Sequence, residues 1–142
     1  MLKLSAEEWY TAIEEKDILK CMLLVEKLVD VDDIINDHLQ TTALMLAARY
    51  GLKDVVDVLL LRGASVTKTD QNLQTSLHRC VRHGHLDCAV ALIKAGSPLE
   101  ARDIFGQTPL MLASTHGQLE CAVALVDAGA HVDISVLNTA TD

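Results

Sequence analysis

The sequence predicts an all-α repeat solenoid, a stack of short paired helices, on three observations. A self-similar pattern returns every 33 residues, the apolar residues inside each unit recur at helical spacing, and the apolar half of the chain is nearly free of large rings. Thr42, Thr75 and Thr108 stand 33 apart; so do Gly51, Gly84 and Gly117, and so do Gly63, Gly96 and Gly129. Three independent sets therefore fix one register. The only aromatics are Trp9, Tyr10, Tyr50 and Phe105 among 142 residues that are 50% hydrophobic. Interiors built from Leu, Val, Ala and Ile suit small, closely packed helices better than a sandwich or barrel, and the length suits one cooperative domain.

At the amino terminus, Ser5 followed by Glu8 reads as a capping box, in which two side chains satisfy two orphan N–H groups of a first helical turn. Trp9, Ala12 and Ile13 then form one apolar face, and a second helix over about Asp17 to Lys27 pairs with it. This pair lacks the Thr-led segment of the later units and carries an excess of acids, which fits a solvated outer face. It is expected to be a degenerate first repeat that caps the stack, because a bare terminal repeat would expose its stacking surface.

The three units that follow share one plan. Each Thr can cap a helix, since its side-chain oxygen accepts an otherwise orphan N–H. Pro109 fits the first helical turn, where no N–H is needed. Gly51, Gly84 and Gly117 are placed to close a first helix of about eight residues in the left-handed conformation. The second helix shows Val55, Val56, Leu59 and Leu60 on one face, replaced by Cys88, Ala89, Leu92 and Ile93, then by Cys121, Ala122, Leu125 and Val126. Gly63, Gly96 and Gly129 stop it.

The segments Thr42-Ala43-Leu44-Met45-Leu46-Ala47-Ala48, Thr75-Ser76-Leu77-His78-Arg79-Cys80-Val81 and Thr108-Pro109-Leu110-Met111-Leu112-Ala113-Ser114 resemble the ankyrin repeat family, whose signature is Thr-Pro-Leu-His-x-Ala at this period. The resemblance implies about four repeats, the first degenerate, with short β-hairpin fingers such as Ser65 to Gln74 between them. In this register the chain divides into a capping repeat at 1–36, repeats at 37–69, 70–102 and 103–135, and the start of a further repeat or a tail at 136–142. It also implies that His78 hydrogen-bonds within its repeat, and it accounts for His85 as part of a Gly-His-Leu run.

Family members usually meet a partner protein on the concave face, made of finger tips and exposed first-helix positions. Carried over position by position, the tips are His38 and Leu39, Gln71 and Asn72, Ile104 and Phe105, with Thr41, Gln74 and Gln107 just before the helices. The helical contributions are Arg49 and Tyr50, Arg82 and His83, Thr115 and His116. Tyr and Arg are enriched where binding energy concentrates. Arg49 and Arg82, one repeat apart, point to an acidic or phosphorylated segment of the partner.

Other chemistries find little support. Cys21, Cys80, Cys88 and Cys121 contain no Cys-x-x-Cys pair, and Cys88 and Cys121 would lie a helix-packing distance apart, beyond a disulfide's reach. They read as small buried hydrophobes. His78, His83 and His85 are clustered but are better explained by the repeat than by a metal. There is no nucleophile elbow, phosphate loop or zinc-protease motif, and Asp37, Asp70 and Asp103 recur as turn-stabilising finger residues. Neither an enzyme, a metal site nor a cofactor is expected.

The net charge of −8 argues against nucleic acid as a partner. Residues 1–37 carry ten acids and four bases, 38–102 five acids and eight bases, and 103–142 five acids and no base. No run reaches the roughly 18 to 20 apolar residues needed to span a bilayer. A soluble intracellular protein is expected, with the cytoplasm favoured over the nucleus. Adding one period to Thr108 gives Thr141, so the tail stands where another repeat should start. The expectation is either an amino-terminal fragment of a longer ankyrin protein, such as a regulatory or targeting part of an enzyme or channel, or a bare last repeat that self-associates. The leading expectation is a non-catalytic scaffold or adaptor.

Overall fold

The computed structural model describes residues 6–36 and 38–132. The expectations placed on Ser5, on Asp37 and on the tail around Thr141 lie outside the described residues. Among those described, eight helices follow one another as α1 (Ala6–Glu14), α2 (Ile18–Lys27), α3 (Ala43–Arg49), α4 (Lys53–Leu61), α5 (Ser76–Arg82), α6 (Leu86–Lys94), α7 (Pro109–Thr115) and α8 (Leu119–Asp127). Strands β1 (Ile34–Asn36) and β2 (Thr41–Thr42) pair antiparallel between α2 and α3.

The helices pack in two rows. α3, α5 and α7 stack on one another, while α2, α4, α6 and α8 form the second row, and each pair also packs internally. One apolar cluster runs through the stack from Trp9 to Ala130. Val55, Val56 and Leu59 are fully buried, as are Ala89 and Leu92, and Leu125 in the last pair. The helical spacing read from the sequence thus marks the centre of the buried face, with Leu60, Ile93 and Ala122 partly buried at its edge, while Val126 on the last helix described is exposed instead. Trp9 and Ala12 are fully buried and Ile13 nearly so, against α2.

The expected caps form in all three later units. Thr42, Thr75 and Thr108 each have extended backbone and accept the N–H three residues on with their hydroxyl. The returning half of each box comes from the side chain at that third position. Met45 Sδ and Met111 Sδ accept the Thr42 and Thr108 N–H at 3.5 Å, and His78 Nδ1 accepts the Thr75 N–H at 3.1 Å.

In the three later units each first helix closes through a glycine. The Gly51 N–H reaches Ala48 O and the Leu52 N–H reaches Ala47 O, with Gly51 at φ +70°. This paired closure satisfies two terminal carbonyls. A Cβ at Gly51 would run into the His85 ring of the next unit, so the site needs glycine for space as well as for angle.

The fingers differ from the expected hairpins. Only the first contains paired strands; those at 70–74 and 103–107 are tight turns without a strand ladder. In each, one backbone bond crosses the turn, from the Asp70 N–H to Gln74 O at 2.9 Å and from the Asp103 N–H to Gln107 O at 3.0 Å, and a carboxylate takes up two further amides. Asp70 Oδ1 accepts the Asn72 and Gln74 N–H at 2.8 and 2.9 Å, and Asp103 Oδ1 accepts those of Phe105 and Gln107 at 2.9 Å. Successive fingers then bond edge to edge, Gln71 N–H to Leu39 O and Ile104 N–H to Asn72 O, each at 2.9 Å.

At the same turn position, Gln40, Leu73 and Gly106 have φ of +56°, +58° and +77°. Only the last is a residue suited to that region. Leu73 is half exposed, so little packing is lost with its side chain. Leu73→Gly is expected to raise the unfolding free energy by about 0.5–1 kcal/mol, the strain relieved less the added freedom of the unfolded chain. Urea denaturation checks this; a lower midpoint than wild type would count against strain at Leu73.

Candidate functional site

The finger tips and the carboxy-terminal ends of α3, α5 and α7 present twelve of the fifteen expected residues as exposed: His38, Leu39, Gln71, Asn72, Ile104 and Phe105 from the fingers, Arg49, Tyr50, Arg82, His83, Thr115 and His116 from the helix ends. Phe105 is 83% exposed and so does not cover its own finger. The Arg49 guanidinium lies 5.5 Å from the centre of the Tyr50 ring, a cation–π arrangement that restrains both side chains.

One expected position is corrected. Thr41 is fully buried, because its Oγ1 accepts a hydrogen bond of 3.0 Å from Arg79 Nη2. Gln74 and Gln107 are half-buried.

Arg79 is the residue that sequence reasoning missed. Its Nε and Nη2 donate to Asp70 Oδ2 at 3.0 and 2.7 Å, with both side chains almost wholly buried. Asp70 thereby does more than hold its turn. It ties finger to helix, and through Arg79 to Thr41 at the preceding finger. Removing one partner of such a buried pair costs about 3–5 kcal/mol, since the other charge is left without compensation. The signal was present in the sequence: Leu46 and Leu112 stand one period either side of Arg79, so a charge fills a slot otherwise apolar. In the third unit, accordingly, Asp103 Oδ2 is buried without a hydrogen-bond partner among the described residues.

Leu39, Arg49, Asn72, Arg82 and His83 converge with Asp70, Gln74 and Arg79 around a hollow of about 180 Å³. His38, Tyr50, Gln71, Ile104, Phe105, Thr115 and His116 do not line it. Burial lowers the proton affinity of His83, and the neighbouring charges of Arg49, His85, Arg82 and His116 lower it further. A second, more apolar hollow of about 510 Å³ lies on the opposite row, between α4 and α6, around Leu60, Leu61, Val90 and Ala91.

His78 is fully buried. Its Nδ1 accepts from Thr75, so the ring hydrogen is on Nε2, which donates to Gln107 O at 2.9 Å in the next unit. The bond expected within the repeat is therefore joined by one between repeats. Burial holds the His78 pKa below its ordinary value, outweighing the Gln107 bond.

The four cysteines are free and buried, and burial raises each thiol pKa, to about 11 for Cys88. Their thiolates are correspondingly scarce at neutral pH. Among the described residues no group of three His, Cys, Asp or Glu side chains is arranged to hold a metal ion, and no helix is long and apolar enough to cross a membrane.

These features define a repeat solenoid that offers a continuous face of turns and helix ends, with no convergent catalytic set described on it. The family model for ankyrin repeats in three copies matches residues 60–136, and that for a single ankyrin repeat matches residues 40–71. The chain belongs to the ankyrin repeat family. Comparison with curated proteins gives no match to a relative. Ankyrin repeats are generally protein–protein interaction modules, and their domains are typically non-catalytic.

The neutral state of His78 gives a pH dependence of known sign. Its folded pKa is depressed, so below about pH 6.5 the unfolded chain takes up a proton that the folded one resists, and stability falls with pH. His78→Met copies the residue at positions 45 and 111. It should lose about 1 kcal/mol near pH 7.5, because Gln107 O loses its donor, and should show a shallower decline on acidification. Urea unfolding across that range tests it; parallel curves for the two proteins would sink the assignment.

Proposed function

We propose that the chain is a non-catalytic protein-interaction module, a scaffold or adaptor, that holds a partner protein on the concave face and finger tips. The observation that carries this reading is the company kept there: Arg49 and Arg82, in no ion pair among the described residues, the arginine-backed Tyr50 and the projecting Phe105, on one face. Aromatic and arginine side chains concentrate binding energy. The two arginines favour an acidic or phosphorylated segment of the partner. Within this reading α1 and α2 cap repeats set at 37–69, 70–102 and 103–135, and the four reduced thiols suit a cytoplasmic setting.

Arg49→Glu combined with Arg82→Glu should weaken capture of the partner by about 100-fold or more, since two attractive charges become repulsive. Helicity and the melting temperature should stay as in wild type, both residues being exposed. Unchanged capture by the folded variant would reject this face.

Self-association through the last helix pair is a second reading, favoured by the exposure of Leu119, Val123 and Val126 on α8. Leu125 is fully buried, so a charge there would damage the core rather than probe an interface. Val123→Asp is the informative change. It should abolish any concentration-dependent dimer seen by light scattering; a wild-type protein that stays monomeric to millimolar concentration removes this reading.

A further inference from the structure

The hollow between the first two described fingers and the ends of α3 and α5 is charged in an uneven way. It gathers the guanidiniums of Arg49, Arg79 and Arg82 and the ring of His83, with a single acid, Asp70. Asp70 is fully committed, its Oδ2 to Arg79 and its Oδ1 to the Asn72 and Gln74 amides. Arg79 is thereby neutralised. Arg49 and Arg82 make no ion pair among the described residues, so two positive charges remain uncompensated around the cavity.

We propose that this pocket receives one carboxylate side chain from the partner's acidic segment, held by Arg49, Arg82 and His83. The proposal rests on reading this face as the partner-binding one and names the chemistry of its anchor. A guanidinium offers paired donors that match a carboxylate edge. A phosphate group fits less well for two reasons. Phosphate sites draw on free backbone amides and helix amino-termini. Here the finger amides of Gln71, Asn72 and Gln74 are already bonded, to Leu39 O and to Asp70. The helix ends that meet the pocket are carboxy-terminal, where the peptide dipoles oppose a dianion.

His83 adds a proton-linked component. The groups facing it are Arg49 at the end of α3, Arg82 on α5, His85 before α6 and His116 after α7, all of which disfavour its protonation. The His85 ring is 6.2 Å away and is held by the bond between its Nε2 and Arg49 O. An arriving carboxylate reverses the balance, so docking draws a proton onto His83. By linkage, affinity then rises as pH falls through the histidine range, while a Glu ligand stays ionised above about pH 5.

The full chain, isotope-labelled, should be titrated by NMR with three capped peptides, acetyl-Gly-X-Gly-amide with X as Glu, Gln or phosphoserine. The Glu peptide should shift the Arg49 and Arg82 guanidinium and His83 ring signals saturably, and the Gln peptide should not. Arg49→Gln and Arg82→Gln should each weaken the Glu peptide about tenfold, the loss of one charge-assisted bond. Lowering the pH from about 7.5 to 5.5 should tighten it several-fold in wild type and hardly at all in His83→Asn. Equal responses to Glu and Gln, or shifts spread over other basic residues, would overturn the proposal. A phosphoserine peptide binding tenfold tighter than Glu would replace it with a phosphate receptor. If the Glu peptide leaves these signals unmoved while the double charge reversal still abolishes capture, the face stands and the carboxylate anchor falls.

Discussion

A helix of seven residues has almost no existence of its own in water, because nucleation fixes several residues before the first bonds repay it. α3, α5 and α7 are each seven residues long, and α4, α6 and α8 are each nine. Every feature of the chain that repeats answers this constraint. The Thr boxes satisfy the first amides, the glycine closures satisfy the last carbonyls, and stacking of each helix on two neighbours supplies the burial that propensity cannot. His78 does two of these things with one ring, closing its own cap and bonding to Gln107 O of the next unit. Loss of stacking would leave the caps with nothing to hold.

The repeat made most of this legible. Thr42, Thr75 and Thr108 are caps and Gly51, Gly84 and Gly117 are closures for reasons that a single residue type in a fixed register conveys. The centres of the buried faces followed from spacing, although Val126, placed with them, is exposed. What could not be read was whatever depends on two units at once. Thr41 was placed on the face by carrying over the family's position just before a first helix, yet a donor 38 positions away draws it inside. That only the first of the described fingers carries paired strands was not legible either, since the three share one register. The exposed site residues were legible as positions. Which five of them converge on one cavity was not.

The electrostatic layout also has a local cause. Arg49 and Arg82 end their helices, where a positive side chain is favoured by the negative end of the helix dipole. That stabilisation needs no partner, and it would suffice to explain either arginine alone. It does not explain why the finger in front of them contributes Asp70 already neutralised, or why His83 stands beside Arg82 in a chain of net charge −8. Screening limits such effects to about one Debye length, so a partner approaching this face meets the two exposed arginines first. Acidic character elsewhere repels most anionic surfaces, so on the proposed reading the pocket would select for a segment that can reach into it.

The second and third units show how such selectivity arises without disturbing the frame. Asp70 and Asp103 hold their turns in the same way, through the same two amides. They differ at the second oxygen: Arg79 pairs with it in one, whereas in the other Leu112 stands at the register position of Arg79 and Asp103 Oδ2 is buried without a hydrogen-bond partner among the described residues. The exposed positions change in step, since Asn72 and Phe105 are counterparts, as are Arg82 and Thr115. A polar, positively charged hollow at one finger thus gives way to an aromatic projection at the next. A bound segment lying along the solenoid would meet these in order, charge first and ring second, at the spacing of one repeat. Because the caps and stacking residues fix that spacing, the order of chemistry along the face is set by the fold itself, and only the side chains at its surface decide which partner matches it.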